Sequence, residues 1–181
     1  MTSTHFDGAI TFNPVVHADL PLLQDWLESE EWRTWWGQPD EERQMIVDMI
    51  EGRDSSKPFL FSVANRPVGY IQYWFVDDWS REPWLSDAPW LSAVPGYIGV
   101  DLSIGDKADM SAGLGSAALT QFCRQLRSEG HEKILIDPDI NNQRAIRAYQ
   151  KAGFQPISAL KDKTDDCLIM HFQALTEENC L

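Results

Sequence analysis

Two strand–turn–helix units follow one another between residues 97 and 153, and each turn carries its own signature. Residues 97–104 have strand character. Ser111-Ala112-Gly113-Leu114-Gly115-Ser116 then turns the chain into a helix whose Leu114, Ala118, Phe122 and Leu126 share one face. Residues 133–137 read as a short buried strand. A helix over residues 143–152 follows, capped by Asn141 or Asn142 and stopped by Gly153. An amphipathic helix after each strand must bury its apolar stripe on a sheet, so this stretch commits the chain to a layered α/β architecture.

The flanking segments add strands around that centre. Residues 9–13, 58–64 and 68–76 read as strands, the last two joined by a hairpin turn at Asn65-Arg66-Pro67. Asp19 caps a helix carrying Leu22, Leu23, Trp26 and Leu27; residues 32–38 read as a loop; Pro39 opens a helix through residue 50. Residues 154–160 and 167–172 close the chain as two strands joined by a polar turn. Residues 77–95 show no period and read as a long loop holding Trp79, Trp84 and Trp90. With no repeat and no linker, residues 1–181 are expected to form a single domain, a mixed and mostly antiparallel sheet flanked by helices.

Charge and cysteine usage narrow the function. Twenty-eight acidic residues against 15 basic ones give a formal charge of −13, which repels phosphate backbones and suits a cationic partner. Cys123, Cys167 and Cys180 are an odd, widely spaced set, which argues against a disulfide framework or thiolate metal site and for a reducing cytoplasm. No apolar run approaches the roughly 18 residues of a membrane helix, and the N-terminus lacks the pattern of a secretory signal. His5, His17, His131 and His171 show no ligand spacing. The expectation is a cytoplasmic protein, monomer or homodimer, with no metal, no nucleic acid and no membrane.

The glycine turn exposes successive N–H groups at the positive end of a helix, an anion site suited to a pyrophosphate, although a tight turn is the plainer reading. Together with Asn142-Gln143-Arg144-Ala145-Ile146-Arg147-Ala148-Tyr149-Gln150-Lys151-Ala152-Gly153-Phe154, it resembles the Gcn5-related N-acetyltransferase superfamily. The resemblance implies that fold, with a central strand pair that splays into a V-shaped slot. It implies acetyl-CoA as cosubstrate. The turn of Ala112, Gly113, Leu114, Gly115 and Ser116 is expected to hold the pyrophosphate. The backbone of Val100, Leu102 and Ser103, with Asn142 and Ala145, is expected to hold the pantetheine arm. Tyr149 is the expected acid toward the leaving thiolate. Met110 stands where the superfamily often has Gln or Arg.

A longer series is similar to the aminoglycoside 6′-N-acetyltransferases: Trp35-Trp36-Gly37, Pro67-Val68-Gly69-Tyr70-Ile71-Gln72, Gly99-Val100-Asp101, Gly113-Leu114-Gly115 and Asp137-Pro138. That resemblance implies Asp101 as general base, directly or through water. It implies Asp137 as a binder of a drug ammonium, with Trp36, Tyr70 and Gln72 on the acceptor side. Asp77, Asp78, Trp79 and Asp87 supply the charge and flat faces that a polycationic sugar needs, which extends the expected acceptor set into the long loop. The simpler readings are a packed Trp36 and Tyr149, a solvated turn at Asp77 and Asp78, and an inert Asp101.

The chemistry is consistent. An ammonium must lose a proton before attacking a thioester, and a carboxylate both attracts the cation and takes the proton. Strand N–H groups can stabilise the oxyanion. The expected activity is acetyl transfer from acetyl-CoA to the 6′-amine of an aminoglycoside by direct attack, a resistance reaction. Its rivals are acylation of another small amine such as hydroxylysine, acylation of a protein amine, and a non-enzymatic drug-binding module.

Overall fold

The computed structural model describes Phe6 and residues 8–81, 88–110, 113–161, 163–164 and 166–173. Seven strands form one sheet in the order β1-β2-β3-β4-β5-β7-β6. β1 (Ile10–Pro14), β2 (Lys57–Val63), β3 (Arg66–Phe75) and β4 (Ile98–Ile104) pair antiparallel in sequence order. β5 (Ile134–Ile136) runs parallel to β4; β6 (Phe154–Pro156) and β7 (Met170–Phe172) complete the far side. The helices are α1 (Leu20–Leu27), α2 (Glu30–Trp35), α3 (Pro39–Ile50), the short α4 (Val76–Trp79), α5 (Leu114–Ser128) and α6 (Gln143–Ala152).

Strand alternation sorts the core onto two faces. On one, Phe61, Ile71, Val100, Ile134 and Ile136 pack against the α5 stripe of Leu114, Ala118, Phe122 and Leu126. On the other, Leu60 and Tyr70 meet Leu23, Trp26, Trp32 and Ile46 from the first three helices. Leu135 alternates with its β5 neighbours and joins Val76, Trp90, Leu91 and Val94 in a separate cluster. This second face therefore carries two clusters, with β3 and β4 between them.

An aromatic column fixes the helical flap to the sheet. Trp32 stacks on Trp36 with centroids 5.1 Å apart, and Trp36 meets Tyr70 edge-on at 5.5 Å. The buried Trp32 indole N–H donates to the Ile104 carbonyl at 3.0 Å, tying α2 to the end of β4.

β4 pairs with β3 along its whole length, from Gly69↔Ile104 to Phe75↔Ile98. With β5 it pairs only at Ile98↔Ile134 and Gly99↔Leu135. From Val100 onward the two strands part. This is the splayed pair that the resemblance implied.

Several local expectations are corrected. Residues 32–38 do not form a loop throughout: Ser29 accepts a hydrogen bond from the Trp32 N–H and starts α2, with Glu30 and Glu31 in its first turn. The hairpin turns at Ala64-Asn65, both with positive φ (48° and 61°), so Arg66 and Pro67 already belong to β3. Pro67 has no N–H, and the pairing register shifts at Phe61/Ser62 opposite it. Asp19 stands at the start of α1, but its carboxylate accepts from the Val16 N–H of the preceding turn. The loop of residues 77–95 contains α4 and a 3₁₀ turn at Pro89–Ala93, whose Trp90 and Leu91 are core. Trp84 lies outside the described residues. The closing strands are short, and β7 lies between β5 and β6.

Gly99 sits opposite Trp74, and a Cβ there would fall 2.1 Å from the indole. Gly99→Ala is expected to cost roughly 1–3 kcal/mol by overpacking, read as a lower midpoint in thermal unfolding. An unchanged midpoint would show that Trp74 moves aside freely.

Candidate active site

The parting of β4 from β5 opens a cleft of about 570 Å³. Asp101, Leu102, Ser103 and Ile104 form one wall; Ile136 to Asp139 and the inward side of α6 form the other. Gly113, Gly115 and Ser116 stand at the first turn of α5, and Trp36 and Glu42 also line the cleft.

The glycine turn is built for an anion. Gly113 adopts φ 80°, a conformation open to glycine at little cost, and caps α5. The first N–H groups of a helix have no acceptor within it, so those of residues 114–116 are available to a ligand. Arg144, Arg147 and Lys151, successive along α6, line the same cleft. Asn142 starts that helix, its side-chain oxygen accepting from the Ala145 N–H at 3.1 Å.

Acidic residues line the cleft too. Strand alternation places Tyr70, Gln72 and Trp74 on one face of β3, and Gln72 lies opposite Asp101 in the register. The buried Tyr70 hydroxyl donates to Gln72 Oε1 at 2.6 Å, and Gln72 Nε2 donates to Asp101 Oδ2 at 2.9 Å. The Trp74 side chain also hydrogen-bonds this carboxylate. The chain of donors fixes the carboxylate's orientation. Burial nevertheless raises the Asp101 pKa above the usual carboxylate range, because these bonds offset only part of the lost hydration.

Asp137, two residues beyond Leu135 on the same face, has its pKa raised well above the ordinary value by burial and then by the Asp101 charge. Glu42, on α3, is pushed up to about 7 by burial and then by Asp101. Glu42, Asp101 and Asp137 thus share one cavity, and burial raises the pKa of each. Tyr149 lines the cleft from α6, and burial first, then Asp101 and Asp137, raises its phenol pKa. It is a neutral O–H donor at physiological pH.

Of the residues named from sequence, the cleft brings together Trp36, Gln72, Asp101, Leu102, Ser103, Gly113, Gly115, Ser116, Asp137, Asn142, Ala145 and Tyr149. Val100 and Leu114 are buried in the core, so only their backbones can reach a ligand. Tyr70 is fully buried and acts on Asp101 through Gln72. Asp77 and Asp78 are exposed outside the cleft: Asp77 accepts from the Gly96 N–H, and Asp78 accepts from the Ser55 hydroxyl. Trp79 lines a neighbouring hollow. Ala112 and Asp87 lie outside the described residues. Sequence reasoning missed Glu42 and the basic edge of α6. The spacing of Arg144, Arg147 and Lys151 at three and four residues was the available signal for the latter. Among the described residues no cluster could hold a metal ion, and no helix is long and apolar enough to cross a membrane.

A splayed strand pair, a glycine turn at a helix start and a slot lined by both buried acids and helix-borne cations are features of an acyl-transfer cleft of the N-acetyltransferase type. Residues 15–161 match the family model described as acetyltransferase (GNAT) domain, and the chain belongs to that family. The aminoglycoside N(6′)-acetyltransferase type 1 proteins of Klebsiella pneumoniae and Serratia marcescens are each 28% identical over 160 residues, covering 84% of this chain and 77% of theirs. The solved structure of AAC(6′)-Ib in complex with paromomycin and acetyl-CoA superposes with a TM-score of 0.77 at 23% identity, over 95% of this chain and 97% of that one. The same enzyme with coenzyme A and kanamycin gives 0.76 at 23%, over 92% and 95%.

Glu42 supplies a pH test. Its pKa rises from 4.5 to about 7 on folding, so the native state binds more protons across that interval. Its contribution to stability is full below about 4.5 and is lost as pH rises through 7. His171, lowered by burial, acts in the opposite direction, so the comparison must be differential. Glu42→Gln is expected to gain stability over the wild type as pH rises from 5 to 8, measured by paired thermal melts. A difference independent of pH would remove Glu42 from the acidic cavity.

Proposed function

We propose that this protein transfers an acetyl group from acetyl-CoA to the 6′-amine of aminoglycosides by direct attack, without a covalent enzyme intermediate. The observation that carries the reading is the lining of one slot: a helix N-terminus with Arg144, Arg147 and Lys151, and the partly or fully desolvated acids Glu42, Asp101 and Asp137. The names of the relatives support the same donor and acceptor.

The residues fit the donor. The Gly113–Ser116 turn and the α6 cations suit its phosphates, and the open edge of β4 suits its amide-bearing arm. Acetyl-CoA supplies an activated thioester. Its acceptor arrives as an ammonium, drawn by Asp137 and Glu42. Asp101, held by Gln72, takes the proton that frees the nitrogen lone pair. Backbone N–H groups on the β4 edge stabilise negative charge growing on the acetyl oxygen. Tyr149 gives its proton to the departing sulfur and is reprotonated by the second proton that the nitrogen loses as the amide forms. A cytoplasmic resistance role follows from the acceptor, and no partner beyond the small-molecule substrates is needed.

The direct test follows thiol release from acetyl-CoA with kanamycin and tobramycin, using lysine, hydroxylysine and a short peptide as controls. Release with the aminoglycosides alone is the expected result. Release only with hydroxylysine or peptide would keep the acetyltransferase and discard the acceptor.

Two variants test the roles. Asp101→Asn is expected to lower kcat by about 10²–10⁴, with acetyl-CoA affinity kept, as for loss of a general base. An unchanged rate would remove it as the base. Because its raised pKa protonates Asp101 earlier on acidification than an ordinary aspartate, wild-type kcat/KM should fall as pH drops toward that value. Tyr149→Phe is expected to slow transfer and leave drug affinity nearly intact; full activity would assign the proton to water.

A further inference from the structure

Beside the cleft lies a second hollow of about 270 Å³, set between the two clusters that share the second face of the sheet. Met49 and Ile46 close it on the α3 side; Trp90 and Leu91 close it on the other. Trp74 and Trp79 flank it, their rings edge-on with centroids 6.1 Å apart. Glu42, Gln72, Asp101 and Asp137 line both spaces, so the acidic groups stand at the junction of hollow and cleft. Ser56 lines the hollow alone. It is 1% exposed, and its hydroxyl has no hydrogen-bond partner among the described residues. A buried hydroxyl left without a partner costs free energy, and a ligand group inside the hollow relieves that cost.

We propose that this hollow is a binding pocket for a primary ammonium carried on a flat apolar body with one hydroxyl, the hydroxyaryl-alkylamine class, and that it presents such amines to the acetyl donor. The inference rests on the acetyltransferase reading for its catalytic half and adds a second acceptor class. The ammonium takes the junction, where Glu42, Asp101 and Asp137 supply the opposite charge. The ring takes the tryptophan-lined interior, which suits a flat apolar body and gives a polycationic sugar few polar partners. The ligand hydroxyl meets Ser56. In the transfer, Asp101 takes one proton from the ammonium, and the freed nitrogen bonds to the acetyl carbon as the carbon–sulfur bond of acetyl-CoA breaks. The thiolate takes a proton from Tyr149, and the second proton lost from the nitrogen as the amide forms restores the phenol.

The test compares tyramine, phenethylamine, ethylamine and kanamycin in the thiol-release assay, with tyramine binding followed separately by quenching of tryptophan emission. Tyramine is expected to exceed ethylamine in kcat/KM by about tenfold or more, from burial of the ring. Ser56→Ala is expected to narrow the tyramine-to-phenethylamine ratio by about two- to tenfold without lowering the melting temperature, because the lost hydroxyl has no partner among the described residues. Turnover of kanamycin with tyramine no better than ethylamine would overturn the pocket and leave the acetyltransferase reading intact. Saturable quenching by tyramine with no thiol release from any acceptor would support the pocket and overturn the catalytic reading. Neither quenching nor release would overturn both. An unchanged ratio in Ser56→Ala would overturn the hydroxyl contact.

Discussion

The early parting of β4 from β5 is the constraint on which the site depends. A parallel pair that stopped nowhere would leave β4 with hydrogen bonds on both edges and no space beside it. Here only Ile98 and Gly99 find partners on β5, and the backbone beyond them turns an unpaired edge to the slot. The opposite edge compensates: β3 holds β4 through seven register pairs, from Ile98 to Ile104. The Trp32 indole then fastens the last carbonyl of the strand to the helical flap. A strand can be left half unpaired inside a domain only if its other side is held this firmly.

The same register carries polarity into the slot. Because Gln72 faces Asp101 and Tyr70 lies one pleat away, the hydrogen bonds that orient Asp101 come from a rigid strand. Those bonds favour the charged form of Asp101, while burial favours the neutral one. Burial wins, so holding Asp101 and Asp137 ionised is costly in the free protein, and a cation placed beside them would offset that cost. The cations of the slot need no such arrangement. They sit on successive turns of a helix whose N-terminus is fixed by Asn142.

Much of this was legible in the sequence, because short-range chemistry sets it. The glycine turn, the Asn142 cap and the 114–118–122–126 stripe are local patterns, and each lies where the spacing put it. The missed turn at Ala64-Asn65 has an equally physical reason. Left-handed φ is uncommon at alanine, and Pro67 is a stronger turn signal than anything before it. The helix at Glu30–Trp35 was hidden by the Trp-Trp-Gly sequence that follows, although Ser29 and two glutamates announce its start. Glu42 could not be read at all. On α3 it is one acid among Asp40, Glu41 and Glu42, and only the packing of that helix over the sheet turns one of the three inward.

That packing also explains why net charge was an incomplete guide. The chain is strongly acidic, yet acidity on the exposed turn at Asp77 and Asp78 is used locally, for the Gly96 N–H and the Ser55 hydroxyl. What distinguishes Glu42, Asp101 and Asp137 is desolvation. An exposed carboxylate attracts a cation weakly, because water and salt screen it. A carboxyl held in a cavity with a raised pKa gains more from an arriving ammonium, which restores the charge that burial had suppressed. Selectivity then passes to the walls. A polar, open wall favours a hydroxyl-rich polycation, and the tryptophan-lined side favours a flat apolar body. Both walls meet at the same three acids, Glu42, Asp101 and Asp137, so on the proposed reading the junction is where an amine is deprotonated and the shape on either side selects the amine.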